Sequence, residues 1–146
     1  MEGNIRGKDT SSEIKVSFWK DKDKTLINPD LFSGKADEIA KKLTSDRKES
    51  RDKSNKSSQI RKFYDEVIMF NRRVKDNPSE FEKILPYLQM LNAKAAYAEG
   101  RELISSGFKE FIKKNITQVT EAKDLDVFAS FFEAIMGYYK YYNPKN

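Results

Sequence analysis

The sequence contains no histidine and no cysteine. That removes Ser-His-Asp and Cys-His nucleophilic machinery, imidazole acid–base work, and zinc held by imidazole or thiolate. It also removes any disulfide framework, which fits a reducing compartment. Carboxylates remain: Asp65-Glu66, Glu80 with Glu82, and Asp124 with Asp126. Their spacing closes no metal cage, so they read as solvated helix faces and caps. Gly3, Gly7, Gly34, Gly100, Gly107 and Gly137 are scattered, and none introduces the Lys-Ser or Lys-Thr pair of a phosphate-binding loop. What is left is cationic chemistry. Arg61 and Arg72 are eleven residues apart, about three helical turns, so they share one stripe. Lys62 and Arg73 repeat the relation one step round, Lys56 lies on the approach, and Lys94 and Arg101 are seven apart further on. Lysines and arginines at helical spacing can follow a row of phosphates, each contact releasing counterions. The plainer reading of the same residues is a solvated face paired with Asp65, Glu66 and Glu99.

Charge distribution favours the first reading. The chain has 146 residues, 28 basic and 23 acidic. The excess is not spread evenly. Residues 35–75 hold thirteen basic and seven acidic side chains, whereas the segments before and after are close to balance. A local positive excess points to a polyanionic partner.

The elements that must position these cations follow from hydrophobic period. Residues 1–33 give no helical period and read as an irregular arm, flexible or ordered by a partner. Within it Ile14, Val16 and Phe18 alternate with polar or exposed positions, a candidate short extended segment, and Asn28-Pro29-Asp30 signals a turn. Residues 34–146 read as one helical-bundle domain. Ala36, Ile39, Ala40 and Leu43 lie on one face of a first helix starting near Ser33 or Gly34. The stretch from Thr44 to Ser58 has no apolar residue and reads as a loop or frayed extension that buries nothing. A second helix is expected from Ser57 or Ser58, both good caps, with Ile60, Phe63, Tyr64, Val67, Ile68 and Val74 inward. Ser79 with Glu82 resembles a capping box for a third helix buried through Phe81, Ile84, Leu85, Leu88, Leu91 and Ala95. Pro86 inside it predicts a kink or a restart. Phe108, Phe111, Ile112 and Ile116 mark a short fourth helix, and Val127 to Tyr139 a last one after Asp124. The fold class is therefore all-α, a compact bundle of about five helices. Phe70 and Tyr97 lie off the main apolar stripes, so core packing and base stacking are both open to them. The tyrosines from Tyr138 to Tyr142 would wrap a helix end, which leaves some exposed. Met1 to Ser12 is polar, and no window nears the roughly 18 apolar residues of a membrane span, so the expectation is a soluble, cytoplasmic protein.

Several stretches carry a family resemblance. Ser58-Gln59-Ile60-Arg61-Lys62-Phe63-Tyr64-Asp65-Glu66-Val67 is similar to a signature of the small subunit of type III-A CRISPR effector (Csm) complexes. Leu85 to Ala98 with Gly100-Arg101 resembles that family's Lys- and Arg-bearing helix, Phe108 to Ile112 its short fourth helix, and Asp124 to Lys140 its last. Order and spacing agree over roughly Leu31 to Tyr142. The resemblance implies a helical subunit with no activity of its own and no cofactor. It implies several copies stacked head to tail beside the backbone filament, contacting guide RNA paired to target RNA, with the backbone and signalling subunits as protein partners. Gln59, Arg61, Lys62, Lys94 and Arg101 carry over as RNA-contact positions, and Lys56 and Arg72 join them from the stripe argument. A subunit that serves any guide sequence must contact phosphates and sugars rather than read bases. The competing expectation is a helical adaptor that binds only proteins, its basic stripe serving solubility.

Overall fold

A computed structural model describes residues 14–145. Among them the chain forms five α-helices and no strand: α1 (Ala36–Glu49), α2 (Ser57–Asp76), α3 (Glu80–Gly100), α4 (Ser106–Thr117) and α5 (Ala122–Tyr142). A single wide π turn, Leu31–Lys35, leads directly into α1. The all-α reading holds. Of the expected arm, residues 1–13 lie outside the described residues.

α5 is the helix the others surround. It packs against α1 and α2, and α3 pairs with α2 and α4. Its apolar residues occupy more than one face: Leu125, Phe128, Phe132, Ile135 and Tyr139 on one, Val127 and Phe131 beside it, all buried. A helix with so wide an apolar surface must be covered on several sides. The aromatic rings do much of the covering. Phe111 meets Phe132 edge-on at 5.2 Å, Phe63 meets Phe108 at 5.3 Å, and Tyr64 meets Phe132 at 5.4 Å. Offset and edge-to-face pairs of this kind add about 0.5–1.5 kcal/mol each beyond the area they bury. Phe70 joins the core, whereas Tyr97 is exposed.

The polar stretch after α1 departs from expectation. α1 continues to Glu49, and Thr44, Arg47, Ser54 and Asn55 are all buried. The reason is hydrogen bonding in place of apolar contact. Asn55 is fully buried with φ 63°, a left-handed conformation that asparagine tolerates. Its Nδ2 donates to the Leu43 carbonyl (3.2 Å) and to Ser105 Oγ (2.9 Å). Its Oδ1 accepts from the Ser105 amide (2.9 Å), and its own amide donates to the Leu103 carbonyl (3.0 Å). Its carbonyl accepts from the buried Tyr139 hydroxyl. One side chain and its peptide thus tie the α1–α2 loop to α1, to the α3–α4 connection and to α5. Ser105 in turn caps α4 by accepting from the Phe108 amide (3.2 Å), and donates to Asp46 Oδ2 (2.8 Å).

The caps differ in detail from the sequence reading. α2 begins at Ser57, with Lys56 in the cap position and no side-chain cap bond. The Ser79–Glu82 capping box is not formed. Asn77 takes the role instead: its Oδ1 accepts from the Ser79 amide (3.3 Å) and hydroxyl (2.8 Å), and its carbonyl from the Glu80 amide (2.9 Å). Pro78 then stands in the turn just before α3, where a missing N–H costs nothing. α3 runs through Pro86 without a break.

Residues 14–30 lie along the bundle as a strap. Phe18 is buried, stacked on Phe128 at 6.3 Å and edge-on to Phe131 at 6.5 Å. Gln118 Nε2 donates to the Val16 carbonyl (3.0 Å), and an isolated antiparallel bridge joins Trp19 and Ile27. The strap's polar anchor is Asp124, fully buried at the start of α5. Its carboxylate accepts from Trp19 Nε1 (2.8 Å), Lys24 Nζ (2.8 Å), and the Thr120 (3.0 Å) and Glu121 (3.2 Å) amides. Burial pushes its pKa up, but the hydrogen bonds from Lys24, Thr120 and Trp19 outweigh that and hold it below the usual carboxylate value.

Two outcomes follow. Asn55→Ala strands the Ser105 amide and the Leu43 carbonyl and places a Cβ-only residue at positive φ, so urea unfolding should show a loss of about 3 kcal/mol. Asn55→Gly relieves the backbone term and should lose about 1 kcal/mol less. Asp124, with its folded pKa depressed, contributes stability that is present above its unfolded pKa of about 3.9 and is lost as pH falls through the folded value. Trp19 is the single tryptophan. Its fluorescence should therefore red-shift on acidification below about pH 4, and Asp124→Asn should give that shifted emission already at neutral pH.

Candidate nucleic-acid interface

α2 and α3 form an antiparallel hairpin across the short turn at Asn77–Ser79. Three contacts fix its register. Arg73 meets Glu80 (2.6 Å) near the turn, Glu66 meets Lys94 (2.9 Å) midway, and the Asn55 amide meets the Leu103 carbonyl (3.0 Å) at the open end. Numbers fall along one helix as they rise along the other. Lys56, Gln59, Arg61 and Lys62 therefore lie toward the end that carries Arg101. Lys94 lies near the middle, and Arg72 lies near the turn.

Neighbours define the faces of α2. Asn71 Nδ2 donates to Asp126 (3.0 Å) and Tyr64 packs on Phe132, which marks the α5 side. Glu66 and Arg73 mark the α3 side. Gln59, Lys62, Glu66, Met69 and Arg73, spaced by three and four, run along that second side. Arg61 and Arg72 share the outward face with Asp65 between them, and both are exposed. The structure thus brings Gln59, Lys62, Lys94 and Arg101 to one flank and sets Arg61 and Arg72 on the adjoining face. Lys56 is exposed at the start of α2.

The electrostatics are those of a solvated surface. Lys94 Nζ lies 2.9 Å from Glu66 Oε2, as the plainer reading foresaw for this glutamate, and both groups are partly exposed. Arg101 donates from Nη1 to the Tyr97 hydroxyl (2.8 Å), and its guanidinium sits over the same ring at 5.7 Å from the centroid. A hydrogen bond from Arg73 holds the Glu80 carboxyl below its ordinary value. Sequence reasoning passed over Lys83 and Met90. With Tyr87, Lys94, Tyr97 and Arg101 they recur at four, three, four, three and four along α3. That stripe adjoins the core stripe and merges with it in a simple apolar count.

Among the described residues no group of three or more His, Cys, Asp or Glu could hold a metal ion. No helix there is long and apolar enough to cross a membrane.

The family model for Csm2 Type III-A matches residues 28–145. The chain belongs to the type III-A Csm2 family. That family is one of structural small subunits, so this Csm2 chain is a component of a type III-A CRISPR effector, an assembly of other subunits and RNA. No curated protein and no solved structure matched the chain. The matched span begins within the strap and takes in all five helices.

An exposed ion pair such as Lys94–Glu66 stabilises by roughly 0–1 kcal/mol. Lys94→Ala should accordingly shift the urea midpoint by less than about 1 kcal/mol, in contrast to Asn55→Ala. A larger loss would make Lys94 a structural residue.

Proposed function

We propose that this subunit is non-catalytic and works by lining the RNA channel of the effector. It does so in the cytoplasm, without a cofactor. Several copies stack head to tail along the filament, beside the backbone and signalling subunits. Each presents its α2–α3 hairpin to the guide RNA–target RNA backbone, with Lys56, Gln59, Arg61, Lys62, Arg72, Lys94 and Arg101 as the contacting set. The observation that carries this reading is the shared placement of Gln59, Lys62, Lys94 and Arg101 on one flank of that hairpin. These side chains are long, cationic or amide, and the surface pairings of Lys94 with Glu66 and Arg101 with Tyr97 are solvated enough to exchange for phosphates and sugars, which carry no sequence information.

One copy makes few phosphate contacts and binds weakly. A row of copies held at fixed spacing multiplies the effect through effective concentration. Head-to-tail stacking also needs two different complementary faces. A shallow hollow of about 470 Å³ between the start of α1 and the end of α5 supports one such face. It is lined by Phe32, Tyr138 and Tyr141 among others, and Tyr142 closes its edge by donating to Asp37 (2.5 Å). That hydrogen bond raises the Tyr142 phenol to about 12, so it stays a neutral donor.

The test is a titration of the reconstituted effector with fluorescent target RNA at two salt concentrations. An assembled complex carrying Arg61→Glu and Lys94→Glu should bind about tenfold or more weakly, with a shallower salt dependence. Unchanged affinity and slope would leave the protein-only adaptor as the better description.

A further inference from the structure

Among the described residues eight large hydrophobic side chains are exposed, and four of them sit together on the α2–α3 flank. Tyr87 is 60% exposed, Tyr97 64%, Met90 48% and Met69 45%. The hairpin register sets Met69 on α2 opposite Met90 on α3, between the two tyrosines. The apolar groups are interleaved with cations: Lys62 and Arg73 from α2, Lys83, Lys94 and Arg101 from α3. Of the carboxylates on this flank, Glu66 and Glu80 are engaged by Lys94, Arg73 and Lys83, and Asp76 continues the α2 stripe three residues past Arg73. Five cations against three acids still leave a net positive surface complementary to a polyanion. A protein partner would have to bring its own row of acids to match it.

A paired RNA backbone leaves half of this surface unused. A-form duplex presents phosphates and 2′-hydroxyls and keeps its base faces stacked inside, so exposed rings gain nothing from it. Unpaired nucleotides do offer base faces, and aromatic side chains flanked by Lys and Arg are what holds them without regard to sequence. Tyr97 is already set for this. Arg101 grips its hydroxyl and lies over one ring face, which fixes the ring at the surface at little conformational cost. Tyr87 is ten residues before it, about 15 Å along the helix, so the rings are separate platforms.

We infer that the α2–α3 flank takes unpaired RNA nucleotides, with Tyr87 and Tyr97 stacking on bases and Lys62, Lys83, Lys94 and Arg101 holding the phosphates beside them. This rests on the RNA-lining role proposed above and deepens it: beside the duplex backbone, the same flank takes single-stranded or locally unpaired RNA, without sequence preference. Met69 and Met90 supply a pliable apolar floor between the two platforms.

The experiment uses the full chain and two fluorescein-labelled probes at low salt, a polyuridine strand and a blunt RNA duplex of equal length. Tyr87→Ala with Tyr97→Ala should weaken binding to the single strand about tenfold or more. The same variant should leave duplex binding and the salt slope unchanged, and Tyr87→Phe with Tyr97→Phe should restore single-strand binding. Lys94→Glu with Arg101→Glu should weaken both probes and flatten the slope. If the lysine–arginine variant weakens both probes while the alanine variant matches wild type, or weakens both probes equally, stacking is wrong and phosphate contact stands. A wild-type chain that binds neither probe, or for which neither variant matters, overturns the stacking proposal, whereas the RNA-lining role stands or falls with the titration of the assembled effector. The substituted tyrosines are exposed, and an unchanged helical circular-dichroism spectrum and urea midpoint confirm that each variant is folded.

Discussion

The arrangement of the bundle depends on a polar knot at Asn55. The helices carry apolar faces that would accept several relative placements, because aromatic and aliphatic contacts are not directional. The hydrogen bonds of Asn55 are directional. They close simultaneously only when the end of α1, the α3–α4 connection and Tyr139 of α5 meet at one point. Burying these polar groups without partners would cost about 1–3 kcal/mol each, so alternative packings that separate them are disfavoured. Ser105, capping α4 while bound to Asn55 and Asp46, extends the knot into the next helix. Gly107 belongs to the same region: a Cβ there would come 2.4 Å from Asp46 Oδ2.

This knot lies at the open end of the α2–α3 hairpin, the end that carries Lys56, Gln59 and Arg101. The cationic flank therefore adjoins a firmly specified part of the fold, although its own side chains are largely exposed to solvent. Such a division suits backbone recognition. The scaffold fixes where cations stand, and flexible lysine and arginine stems adapt to phosphate positions. The Asp124 anchor does comparable work at the other end of α5, where one buried carboxylate joins the strap to the helix start through Trp19 and Lys24.

Much of the helical layout was legible beforehand because apolar period survives in a single sequence. The inward faces of α2, α4 and α5 could be read from Ile60, Phe63 and Val67, from Phe108, Phe111 and Ile112, and from Phe128, Phe132 and Ile135. The stretch after Leu43 could not be read in this way. It buries Thr44, Ser54 and Asn55 through hydrogen bonds, with Arg47 buried beside Asp52 (3.3 Å), and polar burial of this kind leaves no hydrophobic pattern. Phe18 gave too short a signal for the strap's packing, since a lone ring in a polar segment predicts no partner. The capping box expected at Ser79 did not form because Asn77, two residues earlier, accepts from the Ser79 amide and hydroxyl instead.

Sequence alone determined the chemistry available to this protein: without histidine or cysteine it has no imidazole or thiolate to work with, and its charge excess lies in lysines and arginines of the middle segment. It also determined the helices, because their period is written residue by residue. Only the tertiary structure decided which cations share a face. Helical spacing relates residues on one helix, whereas the side on which Lys62 meets Lys94 depends on the rotation of α2 against α3, set by contacts such as Glu66–Lys94 and Arg73–Glu80. The same rotation decided that Tyr87, Met90 and Tyr97 would stand in the open while Phe70 turned inward. Exposure is a property of what packs beside a residue, and no single helix contains that information.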